Sequence, residues 1–276
     1  MRAVVNGVGI EFDVTGPDRG PSVVLLHGFP DTGRLWRHQV PALAKAGFCV
    51  VVPDLRGCGR SDKPAEVEAY AFANLVADVL GVLDHLGIDR AHVIGHDWGA
   101  ALGWVIAAVA PARVQHLVAM TVGHPVSFRT AGYQQYERSW YMLLFQFSEV
   151  AERWLSDDGW ANLRRWARHP DADAVIADLE ETGSLTPGLN YYRANFPPAS
   201  WISPPPEVPA VEAPTLGVWA SGDIFLTEAQ MLGSEQYVRA EWRYERVDGA
   251  GHWLQLDAPE RVNELLLGFL PVTASA

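Results

Sequence analysis

The sequence predicts an α/β fold, a mostly parallel sheet with helices on both faces, interrupted by a helical insertion. Short apolar runs alternate with helical stretches as far as Met120. The rhythm stops near Ser127 and resumes after Pro214. Continuous apolar runs suit parallel strands covered on both faces, and the stretches between them supply the crossovers that parallel pairing needs.

Taken in order, the N-terminus reads as a hairpin, Ala3 to Val5 and Ile10 to Val14 joined through Asn6-Gly7, a dipeptide that tolerates left-handed backbone. Ser22 to Leu26 and Cys49 to Val52 are expected strands, with helical character over Arg37 to Ala46 between them. His92 to Gly95 and Val114 to Met120 follow, separated by a helix over Ala100 to Ala110. The next stretch is helical and aromatic, with Trp140, Trp154, Trp160, Trp166 and Trp201 inside it. It closes in Pro197-Pro198 and Pro204-Pro205-Pro206, which mark irregular chain. Strand Thr215 to Ala220, helix Glu228 to Arg239, strand Trp242 to Val247 and helix Pro259 to Leu270 complete an eight-stranded sheet. The expected division is a core over 1–128 and 213–276 with an insertion over 129–212.

The 276 residues suffice for a substantial core, and the net charge of −12 argues against a nucleic-acid partner. No apolar run reaches spanning length and no leader pattern opens the chain, so the expectation is a cytoplasmic protein without a membrane partner. Cys49 and Cys58 are expected as free thiols, one interior and one in a loop. No metal-ligand spacing is present, and no metal is expected.

The most informative stretch is Gly95-His96-Asp97-Trp98-Gly99. A strand runs into a turn flanked by glycines, and a small-residue helix follows, the form of a nucleophile elbow with aspartate where serine is usual. A carboxylate is ionised at neutral pH and needs no base before attacking a saturated carbon. Three more segments follow strands, where open α/β sheets place ligands: His27-Gly28-Phe29-Pro30, Ser221-Gly222-Asp223 and Gly251-His252-Trp253. Nucleophile, acid and histidine occur in that chain order, and the amides of Phe29 and Trp98 are candidates for an oxyanion hole. Asp248 is the rival acid. His27 is expected to support its loop and His124 to cap a helix, while His38, His85, His92, His116 and His169 carry no expected role.

With Asp54-Leu55-Arg56-Gly57-Cys58-Gly59-Arg60-Ser61-Asp62 added, these motifs resemble an α/β-hydrolase of the soluble epoxide hydrolase type, on its aspartate-nucleophile branch. They span nearly the whole core. The resemblance implies that the insertion is a cap over the active site. It also implies that Tyr141, in Trp140 to Gln146, and Tyr192, in Leu189 to Arg193, are the two epoxide-binding tyrosines, with Tyr191 the rival for the second. A phenol can donate a hydrogen bond to the ring oxygen and then a proton as charge builds. The implied reaction is epoxide plus water to vicinal diol, through an Asp97 ester hydrolysed by water that His252 activates and Asp223 orients. Phe29 and Trp98 would also contact substrate. No cofactor is needed, and a homodimer through the cap is left open.

Two other functions share this scaffold. A haloalkane dehalogenase would use Trp98 on the halide but commonly has Asn where Phe29 stands, and a fluoroacetate-type enzyme has Arg where Trp98 stands. A ligand receptor on the same fold would have no need of an intact Asp97, Asp223 and His252 set.

Overall fold

The computed structural model describes residues 1–272. Strands β1 (Arg2–Val5) and β2 (Val8–Thr15) form the expected hairpin, with Asn6 and Gly7 both at positive φ. Then come β3 (Ser22–Leu26), α1 (Gln39–Lys45), β4 (Cys49–Pro53), α2 (Phe72–His85), β5 (Ala91–His96), α3 (Trp98–Val109) and β6 (Val114–Met120). After the inserted helices the chain continues with β7 (Thr215–Ala220), α-helix Glu228–Leu232, β8 (Trp242–Val247), and helices Leu254–Asp257 and Pro259–Phe269.

The eight strands form one sheet in the order β1-β2-β4-β3-β5-β6-β7-β8. The first two pairings are antiparallel and the rest parallel. Val23 to Leu26, Val50, Val51, Val93, Ile94 and Leu117 to Ala119 are almost wholly buried, as continuous apolar strands covered on both faces must be. Pairing β3 with β5 and β6 with β7 brings the C-terminal ends of β3, β5, β7 and β8 to one edge. Every loop expected to carry chemistry starts there.

The differences from the expected elements have local causes. α2 lies between β4 and β5, where no helix was expected; Leu75, Val76, Val79, Val82 and Leu83 give it a buried stripe of helical period. The helix expected over Glu228 to Arg239 ends at Leu232 and tightens into a 3-10 stretch over Gly233–Tyr237, where Gly233 weakens the α-helix. α3 starts at Trp98, not Ala100, so the helix begins directly behind Asp97. Cys49 and Cys58 are both free and buried.

Between β6 and β7 lie helices α4 (Pro125–Thr130), α5 (Tyr133–Arg138), α6 (Tyr141–Leu144), α7 (Val150–Ala167), α8 (Ala172–Thr182) and α9 (Leu185–Asn195). α7 is broken where Asp158, Gly159 and Trp160 take positive φ. We number the later helices α10 (Glu228–Leu232), α11 (Leu254–Asp257) and α12 (Pro259–Phe269). Among the described residues no helix is long and apolar enough to cross a membrane.

Candidate active site

Asp97 sits between β5 and α3 at φ 52°, ψ −120°. A non-glycine residue at positive φ is costly, of order 1–3 kcal/mol, and persists where its surroundings over-determine it. The surroundings here are backbone: a Cβ at Gly95 would collide with the Gly99 carbonyl, and one at Gly99 with the Leu26 carbonyl. The flanking glycines therefore permit close approach of strand, turn and helix. At Gly28 a Cβ would meet the Asp97 carboxylate itself.

The four expected loops converge. Phe29 N–H donates to Asp97 Oδ1 at 3.0 Å. His252 Nε2 lies 3.7 Å from Asp97 Oδ2, an ion-pair separation beyond hydrogen-bond range. On its other side His252 Nδ1 donates to Asp223 Oδ2 at 2.8 Å. Asp223 Oδ1 accepts from the amides of Phe225 and Leu226 at 2.8 and 2.9 Å. All three side chains are buried. Burial works against an imidazolium, but Asp223 and Asp97 outweigh it and carry the His252 pKa up to about 10. Asp248 pairs instead with Arg246 at an exposed position.

Tyr141 from α6 and Tyr192 from α9 line one apolar cavity of ≈ 60 Å³ with Asp97 and Trp98. Phe72, Val122, Phe128, Met142, Phe196 and Leu226 supply most of its remaining wall. The two tyrosine rings lie 6.0 Å apart, centre to centre. Burial, reinforced by the Asp97 charge, holds both phenols well above their ordinary pKa, so both remain protonated donors. Tyr191 points elsewhere and donates to the Arg56 carbonyl at 2.6 Å.

The supporting histidines behave as expected: His27 Nε2 accepts from Leu55 N–H at 3.0 Å, and His124 caps α4 by accepting from Val126 N–H. Several neighbours of the site carry no expectation from the sequence. His96 Nε2 bonds the His252 carbonyl at 2.9 Å, and burial, followed by the charge of His252, lowers its pKa to about 4. Gln135 holds the acid loop through the Phe225 carbonyl and Thr227 N–H, while Arg138 Nη1 donates to the carbonyls of Asp223 and Leu226. His169 had no expected role, yet it bonds Asp31 beside the Phe29 turn. No local sequence pattern announces these partners; the elbow position just before the aspartate, occupied by His96, is the nearest to a signal.

The family model described as alpha/beta hydrolase fold matches residues 21–259. Epoxide hydrolase 3 of Xenopus tropicalis is 34% identical over 98% of this chain and 77% of its own length. Epoxide hydrolase A of Mycobacterium tuberculosis is 32% identical over 96% of this chain and 95% of its own. A crystal structure of the Bacillus megaterium epoxide hydrolase in complex with an inhibitor matches with a TM-score of 0.88 at 31% identity, covering 98% of this chain and 99% of that one. Sequence, sheet order and site loops agree, and the chain belongs to the α/β-hydrolase fold family and, within it, to the epoxide hydrolases.

Proposed function

We propose that this enzyme opens epoxides to vicinal diols through a covalent ester on Asp97, in a site capped by the helices of 129–212. An Asp97 carboxylate oxygen attacks a ring carbon and the ring C–O bond breaks. Tyr141 and Tyr192 donate to the departing oxygen, and it is protonated. The Asp97 ester is neutral, so one of the two carboxylates that raise His252 is gone and the imidazolium releases its proton, which balances the one the alkoxide gained. Neutral His252 then takes a proton from water as the water oxygen attacks the ester carbonyl. The amides of Phe29 and Trp98 hold the oxyanion, each contributing about 3 kcal/mol by the measure of known oxyanion donors. Collapse breaks the ester, the diol oxygen takes the remaining proton, and the resting Asp97 carboxylate and His252 imidazolium return. Over the cycle, one epoxide and one water become one diol, with no cofactor required.

The observation that carries this reading is the Asp97 carboxylate held between the Phe29 amide and His252, on the wall of a cavity lined by two protonated phenols. The free thiols of Cys49 and Cys58 fit the cytoplasm as its compartment. The test is product analysis by mass spectrometry on terminal, aryl and internal epoxides mixed with short haloalkanes, for wild type beside Asp97→Asn. Diols from wild type alone are expected. Alcohols and halide without diols would replace the reading by dehalogenation.

A further inference from the structure

Asp31 follows the Phe29-Pro30 turn and is buried, yet residues from two distant parts of the chain occupy its carboxylate. Oδ1 accepts from His169 Nε2 at 3.0 Å, and Oδ2 from the indole N–H of Trp253 at 2.8 Å. His169, between α7 and α8, is buried too, and its Nδ1 accepts the Asp171 amide at 2.9 Å. With Nδ1 an acceptor, the ring proton lies on Nε2, so a neutral His169 donates to Asp31. The His169 and Trp253 rings are 4.3 Å apart, and the Arg37–Asp171 ion pair at 2.5 Å ties the His169 segment to the chain that follows Asp31.

Both core loops held this way carry chemistry in the cycle above. Asp31 N–H bonds the Gly28 carbonyl at 3.0 Å, closing the turn that presents the Phe29 amide to Asp97. Trp253 is the next residue after His252, and its ring lies 4.8 Å from the imidazole. The third partner, His169, comes from the inserted helices. A carboxylate buried among three segments has one favourable arrangement, because losing either donor strands a charge.

We propose that Asp31, clasped by His169 and Trp253, is a positioning residue that aligns the Phe29 amide with His252 when the inserted helices are seated on the core. The proposal rests on the covalent cycle, since it assigns the clasp to ester hydrolysis, the half-reaction that uses both groups. Alkylation draws on the Asp97 carboxylate and the phenols, which the clasp reaches only through the Phe29 amide on Asp97 Oδ1, whereas hydrolysis uses the Phe29 amide and His252 together.

Trp253→Phe keeps the ring and removes one donor; His169→Leu removes the other, and His169→Gln returns an N–H. Rapid mixing with an epoxide, followed by intact-protein mass and diol analysis, separates the half-reactions. In Trp253→Phe and His169→Leu, ester hydrolysis is expected to slow about tenfold or more, as small misplacements of reacting groups do. Alkylation should slow several-fold less than hydrolysis, because Tyr141 and Tyr192 lie outside the clasp. The ester then accumulates, kcat and KM fall together, and His169→Gln recovers most of the hydrolysis rate. Equal slowing of both half-reactions, or unchanged hydrolysis, would overturn the proposal. Should His169→Leu not fold, Trp253→Phe decides alone. If neither wild type nor His252→Gln ever carries an ester, the covalent cycle itself fails, a result recognisable because no half-reaction is then seen.

Discussion

Asp223, on the sheet side of the site, has its carboxylate filled by donors: two backbone amides on Oδ1 and His252 on Oδ2. Tyr141, on the helical side, is placed by rings, with Phe145, Trp166, Phe225 and Tyr192 all within 6.0 Å, centre to centre. The first kind of support is directional, and removing a partner leaves a buried charge unpaired. The second is additive packing, in which each contact contributes a little and neighbours can adjust. The sheet side should therefore respond to substitution all-or-none and the helical side by degrees.

His252→Gln tests the first half of that contrast and carries the largest effect. On the proposed cycle, alkylation of Asp97 should still proceed without an imidazole and hydrolysis should stall. A fall in kcat of about 10³-fold or more is expected, within the usual range for a lost general base. The intact mass should rise by one substrate per chain and stay there. Turnover within tenfold of wild type would show that the sheet side tolerates loss of its base and would erase the contrast.

The helical side gives smaller, graded effects. Tyr141→Phe and Tyr192→Phe should each slow alkylation by about 10- to 100-fold, with the other phenol still in place. Their neighbour Tyr191 supplies the control. Tyr191→Phe removes a bond to the buried Arg56 carbonyl, so about 1 kcal/mol of stability is lost and the alkylation rate stays within about twofold. Single-turnover kinetics beside chemical denaturation separates the two outcomes. If Tyr191→Phe slows alkylation as much as Tyr192→Phe, the assignment of the second phenol is wrong.

The same contrast governs what could be read from the sequence. Strands such as Val114–Met120 and Thr215–Ala220 match their expected limits because an apolar run ends where turn residues begin. The elbow is legible for a similar reason: two glycines two residues either side of Asp97 record a backbone crossing that is local in sequence. α2 was legible too, through its apolar period, although it is absent from the expected elements. Tyr191 and Tyr192 could not be told apart by spacing, since adjacent residues on a helix differ by about 100° and both are buried in aromatic surroundings. The Asp31 clasp was hidden more deeply. Its partners lie 138 and 222 residues away, and a lone histidine in a loop carries no mark of what it will meet.

A second effect on stability, read against pH, comes from the sheet side. The His252 pKa is raised from 6.5 to about 10 in the folded protein. A group raised on folding contributes stability that is fully present below its unfolded pKa and is lost as pH climbs through its folded pKa. The contribution from His252 is thus complete below about pH 6.5 and declines toward pH 10, by at most about 1.4 kcal/mol per pH unit. Each kcal/mol corresponds to about 2–4 °C in Tm for a domain of roughly 150–250 residues. From pH 7 to 8, below the unfolded pKa of the Cys49 and Cys58 thiols and of the buried phenols, Tm should fall by a few degrees in wild type and stay nearly flat in His252→Gln. Asp97→Asn should sit between them, because Asp223 alone still raises the imidazole, so the decline begins at the same pH but ends at a lower one. Parallel curves for wild type and His252→Gln would mean that the two carboxylates do not hold a proton on His252. The imidazole would then be free to act as a base before Asp97 is alkylated, and the order of proton release in the proposed cycle would be wrong.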